Sequence, residues 1–173
     1  MPVIKDSALC RFASELFQAS GVSQADSDLV ATSLVGANLR GHDSHGVMRI
    51  PFYIGKVQDG TLDSKARLKV EKESASSLVC DGGWGFGQVV SQDLVRRLID
   101  KCSTSAIACG TLRRACHIGR LGEYAEMAAE KGFVAIVIAN NKAEGSAPLS
   151  LAKLAAEIAL ELSKQKQDNR SVC

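Results

Sequence analysis

The stretch "LRGHDSHGVMRIP" (Leu39 to Pro51) holds two of the chain's three histidines, His42 and His45, with Asp43, Ser44, Arg40 and Arg49 around them. Histidine is the side chain whose ordinary pKa lets it exchange a proton near neutrality. It is therefore the usual partner when a carbonyl becomes an alcohol or the reverse. Arg49 follows His45 by four positions, and on a helical backbone two such residues project to one side. Arginine grips a carboxylate through two parallel hydrogen bonds. A proton donor beside a carboxylate clamp suits a 2-oxo or 2-hydroxy acid. Ser, Asp and Gly also gather at turns for purely local reasons, so spacing alone leaves a second reading open: a capped helix end followed by a solvated turn.

The third histidine, His117, follows a predicted strand and precedes a predicted helix. Strand ends in α/β layers face the crevice where ligands bind; a structural role is the competing reading. "DGGWGFGQ" (Asp81 to Gln88) also lies between a strand and a helix, but its pattern is G-x-G-x-G rather than the G-x-G-x-x-G of a dinucleotide loop. These glycines are expected instead to let backbone pass close to Trp84 or to a neighbouring element. The pairs Arg96–Arg97 and Arg113–Arg114 read as solvated charge.

The elements that must position these residues follow from periodicity. Leu9, Phe12, Ala13, Leu16 and Phe17 repeat at helical spacing and stop at Gly21. Ser23 is an expected N-cap, with Asp26 as an acidic variant of the capping box. The helix it starts carries Leu29, Val30, Ser33, Leu34 and Ala37 on one side and ends near Gly41. Ile50, Ile54 and Val57 predict a third helix, with Pro51 near its start. "ARLKVEKE" and "SSLVCDGG" predict two strands, and "GQVVSQDLVRRLIDKC" an amphipathic helix. "SAIACGTLRRAC" predicts a strand and "GRLGEYAEMAAEKG" a helix. "FVAIVIANN" is apolar on both faces, the pattern of a central strand. Helices first, then strand and helix alternating, argue for an α/β layer with a helical N-terminal piece.

Composition narrows the class. The chain has 173 residues, 46% of them hydrophobic, and a net charge of +2. A core is affordable, and so balanced a charge argues against a nucleic-acid binder. No apolar window approaches the ~18 residues of a membrane span, and the N-terminus lacks a signal-peptide pattern. The six cysteines form no CxxC pair and read as reduced, cytoplasmic thiols. Their spacing does not favour structural zinc.

Three segments, "LRGHDSHGVMRIPFYIGKVQDGTL", "DGGWGFGQ" and "ACHIGRLGEYAEMAAEKGFVAIVIANN", resemble the malate/L-lactate dehydrogenase family that is unrelated to the Rossmann-type lactate dehydrogenases. Ureidoglycolate dehydrogenase, sulfolactate dehydrogenase and diketogulonate reductase are among its relatives. The resemblance runs over about residues 4 to 141, and "SHGVMRIP" is its most specific part. It implies hydride transfer between NAD or NADP and a small 2-hydroxy or 2-oxo acid, on a non-Rossmann α/β fold in which an N-terminal helical segment precedes a partial mixed sheet with helices. It also implies a homodimer. The family's active-site "SHG" falls on Ser44, His45 and Gly46, its substrate-carboxylate arginine on Arg49, and its second histidine on His117. Either histidine can be the proton carrier under this resemblance. Asn140 and Asn141 match the strand end where the family's cofactor contacts begin. His42 is expected to be supporting structure.

The chain then departs from the pattern. The family's chains continue after "ANN" through a large segment that supplies most of the cofactor pocket. Here "LSLAKLAAEIALELSKQKQ" follows, a strong helix by propensity with a polar tail. The expected division is therefore 1–60, helical with the SHG motif; 61–142, α/β; and 143–173, divergent. The C-terminal part of the family fold is expected to be missing, through an alternative transcript, a gene-model end or a truncated isoform. Two functions remain open at this point: a hydroxy-acid dehydrogenase, or a non-catalytic chain that partners a full-length subunit.

Overall fold

The computed structural model describes residues 4–139. Two helices, α1 (Asp6–Ala19) and α2 (Gln24–Leu39), open the chain. Two 3-10 turns, Asp43–His45 and Val47–Arg49, lead into α3 (Ile50–Gln58). Strands β1 (Lys69–Glu73) and β2 (Ser77–Gly85), helix α4 (Gly87–Ser105), strand β3 (Cys109–Ala115) and helix α5 (Gly122–Ala129) follow. The predicted N-cap is in place: Ser23 Oγ accepts from the Asp26 backbone N–H at 3.2 Å. The Asp26 carboxylate accepts hydrogen bonds from the Ser23 hydroxyl at 2.8 Å and the Arg67 guanidinium at 2.9 Å.

The sheet runs β1–β2–β3, antiparallel at the first pair and parallel at the second. It is thus mixed, with α4 as the crossover that a parallel pair requires. Leu94 and Leu98 of α4 lie over Gly110 of β3, so close that a Cβ there would strike both side chains. With Leu78, Cys80 and Leu112 they form one apolar cluster. A larger one gathers Phe17, Val30, Leu34, Ile50 and Tyr53 from the helices with Leu62 and Phe86 from the connecting segments. At its centre three rings interlock. Phe86 meets Phe17 at 5.9 Å and Tyr53 at 6.0 Å, both edge-on. Such pairs contribute about 0.5–1.5 kcal/mol each beyond the area they bury, and they fix Tyr53, which bears on the site below.

Three expectations change. Arg113 and Arg114 are not merely solvated charge: both pair with the Asp81 carboxylate, which is 2% exposed. The sequence conceals this because the partner lies on the neighbouring strand. Residues 133–139, the supposed central strand, join no ladder among the described residues, and Val134 and Ile136 are 98% and 88% exposed. Exposure alternates from residue to residue along the segment, as it would on a strand. A strand is completed only by neighbours that take up its backbone hydrogen bonds, and none is described. The His45–Arg49 stretch is also not one helical turn. Gly46 is extended, with φ −90° and ψ −158°, and splits it into two 3-10 pieces.

Candidate active site

The turn that carries Ser44, His45 and Arg49 is held from behind by Asn38, near the end of α2. Its side-chain oxygen accepts from the Val47 N–H at 2.8 Å, and its amide donates to Asp43. The Asn38 side chain fills the space a Cβ on Gly46 would need, so glycine at this position is a packing requirement. Arg49 Nε donates to the Ser44 carbonyl at 2.7 Å, folding the arginine back over the turn, and its guanidinium lies 5.8 Å from the centre of the Phe52 ring. Among the described residues no carboxylate pairs with Arg49 and nothing hydrogen-bonds its two terminal nitrogens.

His117 arrives from the loop after β3. Gly87, at the start of α4, lets that loop pass: a side chain there would overlap the carbonyls of Cys116 and His117. The "DGGWGFGQ" glycine pattern therefore includes the close approach to a neighbouring element expected of it. The loop's far side is tied by Tyr124, whose hydroxyl donates to the Ile118 carbonyl. Helix α5 is latched to α2 through Ser33–Glu123 and Arg40–Glu126.

These supports bring two of the sequence candidates face to face. The rings of His45 and His117 stack with centroids 5.2 Å apart and 29° between their planes. Ser44 Oγ lies 2.9 Å from His45 Nδ1. Behind His117, Nδ1 lies 2.6 Å from the Tyr53 hydroxyl, and Gln88 Nε2 donates to that hydroxyl at 2.8 Å. Tyr53 and Gln88 are both fully buried. Asn140 and Asn141 lie outside the described residues.

The electrostatics follow from burial and from Arg49. His117 is pushed down to about 4, first by desolvation, then by the Arg49 charge and by His45. His45 is lowered by the same kinds of cause, with burial first and Arg49 second. Burial drives Tyr53 up to about 12, so its hydroxyl keeps its proton. Near neutral pH the site therefore holds two neutral imidazoles, one protonated phenol and one guanidinium with no carboxylate partner among the described residues. Sequence reasoning missed Asn38, Tyr53 and Gln88. Tyr53 and Gln88 sit among apolar positions at helical spacing, and only the fold turns their polar atoms toward His117.

A mixed α/β scaffold that brings a stacked histidine pair beside an arginine with no carboxylate partner among the described residues has the parts to bind a small carboxylate and exchange a proton with it. The chain belongs to the malate/L-lactate dehydrogenase family, which matches residues 4–154. It is 38% identical over 125 residues to hydroxycarboxylate dehydrogenase B of Escherichia coli O157:H7, covering 72% of this chain and 35% of that protein. It is 36% identical over 122 residues to malate dehydrogenase of Pyrococcus abyssi, covering 70% of this chain and 34% of that one. The solved malate dehydrogenase of Pyrococcus horikoshii superposes with a TM-score of 0.73 at 34% identity, covering 75% of this chain and 37% of that structure. The chain thus spans about a third of the length of the relatives it matches.

Proposed function

We propose that these residues form the substrate half of a dehydrogenase that moves a hydride between NAD or NADP and a small 2-hydroxy or 2-oxo acid. The observation that carries this reading is Arg49: a guanidinium with no carboxylate partner among the described residues, beside two stacked neutral histidines. The donor set fits the chemistry. Arg49 can receive the acid's carboxylate through its two terminal nitrogens and so fix the orientation of the α-carbon, which removes part of the entropic barrier. A neutral imidazole can accept the α-hydroxyl proton in oxidation, and as imidazolium return it to the forming alkoxide in reduction. Proton transfer of this kind is worth about 10²–10⁴ in rate. His45 and His117 are both candidates for that transfer, and Ser44 orients His45. The nicotinamide, when bound, supplies or accepts the hydride, and Asn140 and Asn141 are its proposed contacts in this chain. Once a carboxylate neutralises Arg49, both rings become more basic, so substrate binding itself prepares the proton acceptor.

A second reading rests on a different observation, the exposed Val134 and Ile136 in a segment with strand-like alternation. An unpaired apolar strand is a template for pairing with another chain, and a full-length subunit of the same family is the partner this reading takes. Titration of the folded chain with NADH and NADPH, followed by cofactor fluorescence, separates the two. Saturable binding, enhanced by malate or lactate, supports the dehydrogenase. Absence of binding at millimolar cofactor ends the case for activity by this chain alone and leaves the pairing role.

A further inference from the structure

Tyr53 and Gln88 are buried polar residues that no step above requires, and their hydrogen bonds have a direction. Gln88 Nε2 donates to the Tyr53 oxygen. The tyrosine proton must then go elsewhere, and the acceptor within reach is His117 Nδ1, 2.6 Å away. The Gly119 N–H points at the same nitrogen from 3.3 Å. Two donors converge on Nδ1, so the neutral ring carries its proton on Nε2, the nitrogen to which no described residue hydrogen-bonds. One buried acceptor nearby has no partner among the described residues, Gln88 Oε1. An orphaned buried carbonyl is costly, and here it has a use. When the ring carries a proton on Nδ1, that N–H needs an acceptor. A half-turn of the Gln88 amide puts Oε1 where Nε2 was. The tyrosine hydroxyl then donates to Gln88, and its oxygen accepts from Nδ1.

We propose that Tyr53 and Gln88 are positioning residues, a reversible hydroxyl–amide relay behind His117 that sets which ring nitrogen carries the proton. Tyr53 and Gln88 keep their own protons throughout, and the ring changes tautomer by taking a proton from solvent water on one nitrogen and returning one to water from the other. In the resting arrangement Nε2 is a donor, able to hydrogen-bond a substrate carbonyl. In the turned arrangement Nδ1–H is stabilised. Nε2 then has a lone pair that can take a substrate's hydroxyl proton, or holds that proton once the ring is imidazolium. An amide is suited to this place because it carries one donor and one acceptor group at interchangeable positions. A carboxylate would lock one arrangement. The catalytic meaning of the relay rests on the acid–base reading of His117 given above; the tautomer does not.

The test is nitrogen-15 NMR of the imidazole rings at pH 7 in this chain, without cofactor. The three histidines are assigned by replacing His42 and His45 with Gln one at a time. In the unsubstituted chain, His117 is expected to show a pyridine-like Nδ1 and a protonated Nε2. Tyr53→Phe removes one of the two donors and should move both shifts toward those of a tautomer mixture. Gln88→Glu, read at a pH where the carbon-13 shift of its side-chain carboxyl shows it ionised, offers only acceptors to Tyr53 and should invert the pattern, protonating Nδ1, which a residue that merely fills space would not do. A protonated Nδ1 in the unsubstituted chain overturns the relay. So do unchanged His117 shifts in a folded Tyr53→Phe or Gln88→Glu protein, folding being read from the amide spectrum. Should neither variant fold, the unsubstituted chain alone decides. Because no cofactor is present, failure here is distinct from failure to bind NADH.

Discussion

The two sides of the site are built in opposite ways. On one side, Ser44, His45 and Arg49 ride on two 3-10 turns that are half-buried or exposed, held by Asn38 and by a hydrogen bond from Arg49 to the backbone. On the other, His117 leans on Tyr53 and Gln88, both without solvent exposure, and through Tyr53 on the Phe17–Phe86 aromatic cluster. The first side keeps a charge available, since Arg49 makes no ion pair among the described residues. The second holds a half-buried ring in a fixed direction, with its Nδ1 side against fully buried groups. An anion can reach an arginine on a turn, whereas a tautomer is fixed only where water cannot compete for the hydrogen bonds.

That contrast predicts a large difference in stability. Tyr53→Ala removes the central ring of the aromatic cluster and should cost about 3–5 kcal/mol, the range for aromatic-to-alanine changes in cores. Arg49→Ala loses one hydrogen bond to backbone and should cost about 1 kcal/mol or less. Urea unfolding of both variants measures this. Equal losses would mean that the two sides are one structural unit. The next effect is smaller and depends on pH. His117 has its pKa held at about 4 in the folded chain, against the 6.5 of an ordinary histidine. As pH falls from 6.5 towards 4, the unfolded chain therefore takes up a proton that the folded ring refuses, and stability drops through that window; above 6.5 nothing is lost. His117→Gln should flatten that limb of the stability curve. His45→Gln should flatten it less, because His45 is the less buried of the two rings. An equal effect from both would erase the distinction between a more buried ring and a more open one.

How much of this the sequence carried depends on range. The cap at Ser23, the spans of α2 and α4, and the order of β1, β2, α4 and β3 follow from local periodicity and turn chemistry, which act within a few residues. The meeting of His45 with His117 does not. Spacing alone favoured a solvated turn for the first, and a structural role for the second. Only the resemblance to the family joined them. Tyr53 and Gln88 were invisible for the same reason, since nothing in "IPFYIGK" or "GFGQVV" says that a phenol and an amide face one imidazole. Residues 133–139 show the reverse failure. Their run of apolar residues is plain in the sequence, but a pattern cannot provide a neighbouring strand, and none pairs with them among the described residues. The Gly46 kink defeated the helical spacing of His45 and Arg49, and Arg49 reaches the site by folding back on Ser44 instead.

The smallest expected effect is the most specific to the exposed side. Arg49 is the second cause, after burial, of the lowered titration of both His45 and His117. Arg49→Gln should therefore raise both, while the burial contribution persists and keeps His117 below His45. Proton NMR of the ring C2–H signals across pH 3 to 8, a span that brackets about 4 and 6.5, follows each histidine separately. The same upward movement should appear in the unsubstituted chain when malate or oxalate is added, because a carboxylate seated on Arg49 cancels its charge. In Arg49→Gln that response should vanish, since the anion has lost its anchor. If malate moves the rings equally with and without the guanidinium, the anion is binding elsewhere, and Arg49 is a turn-stabilising residue rather than the carboxylate clamp. If the rings titrate unchanged in the variant, water screens Arg49 from them, and binding of an acid there could not make either histidine more basic.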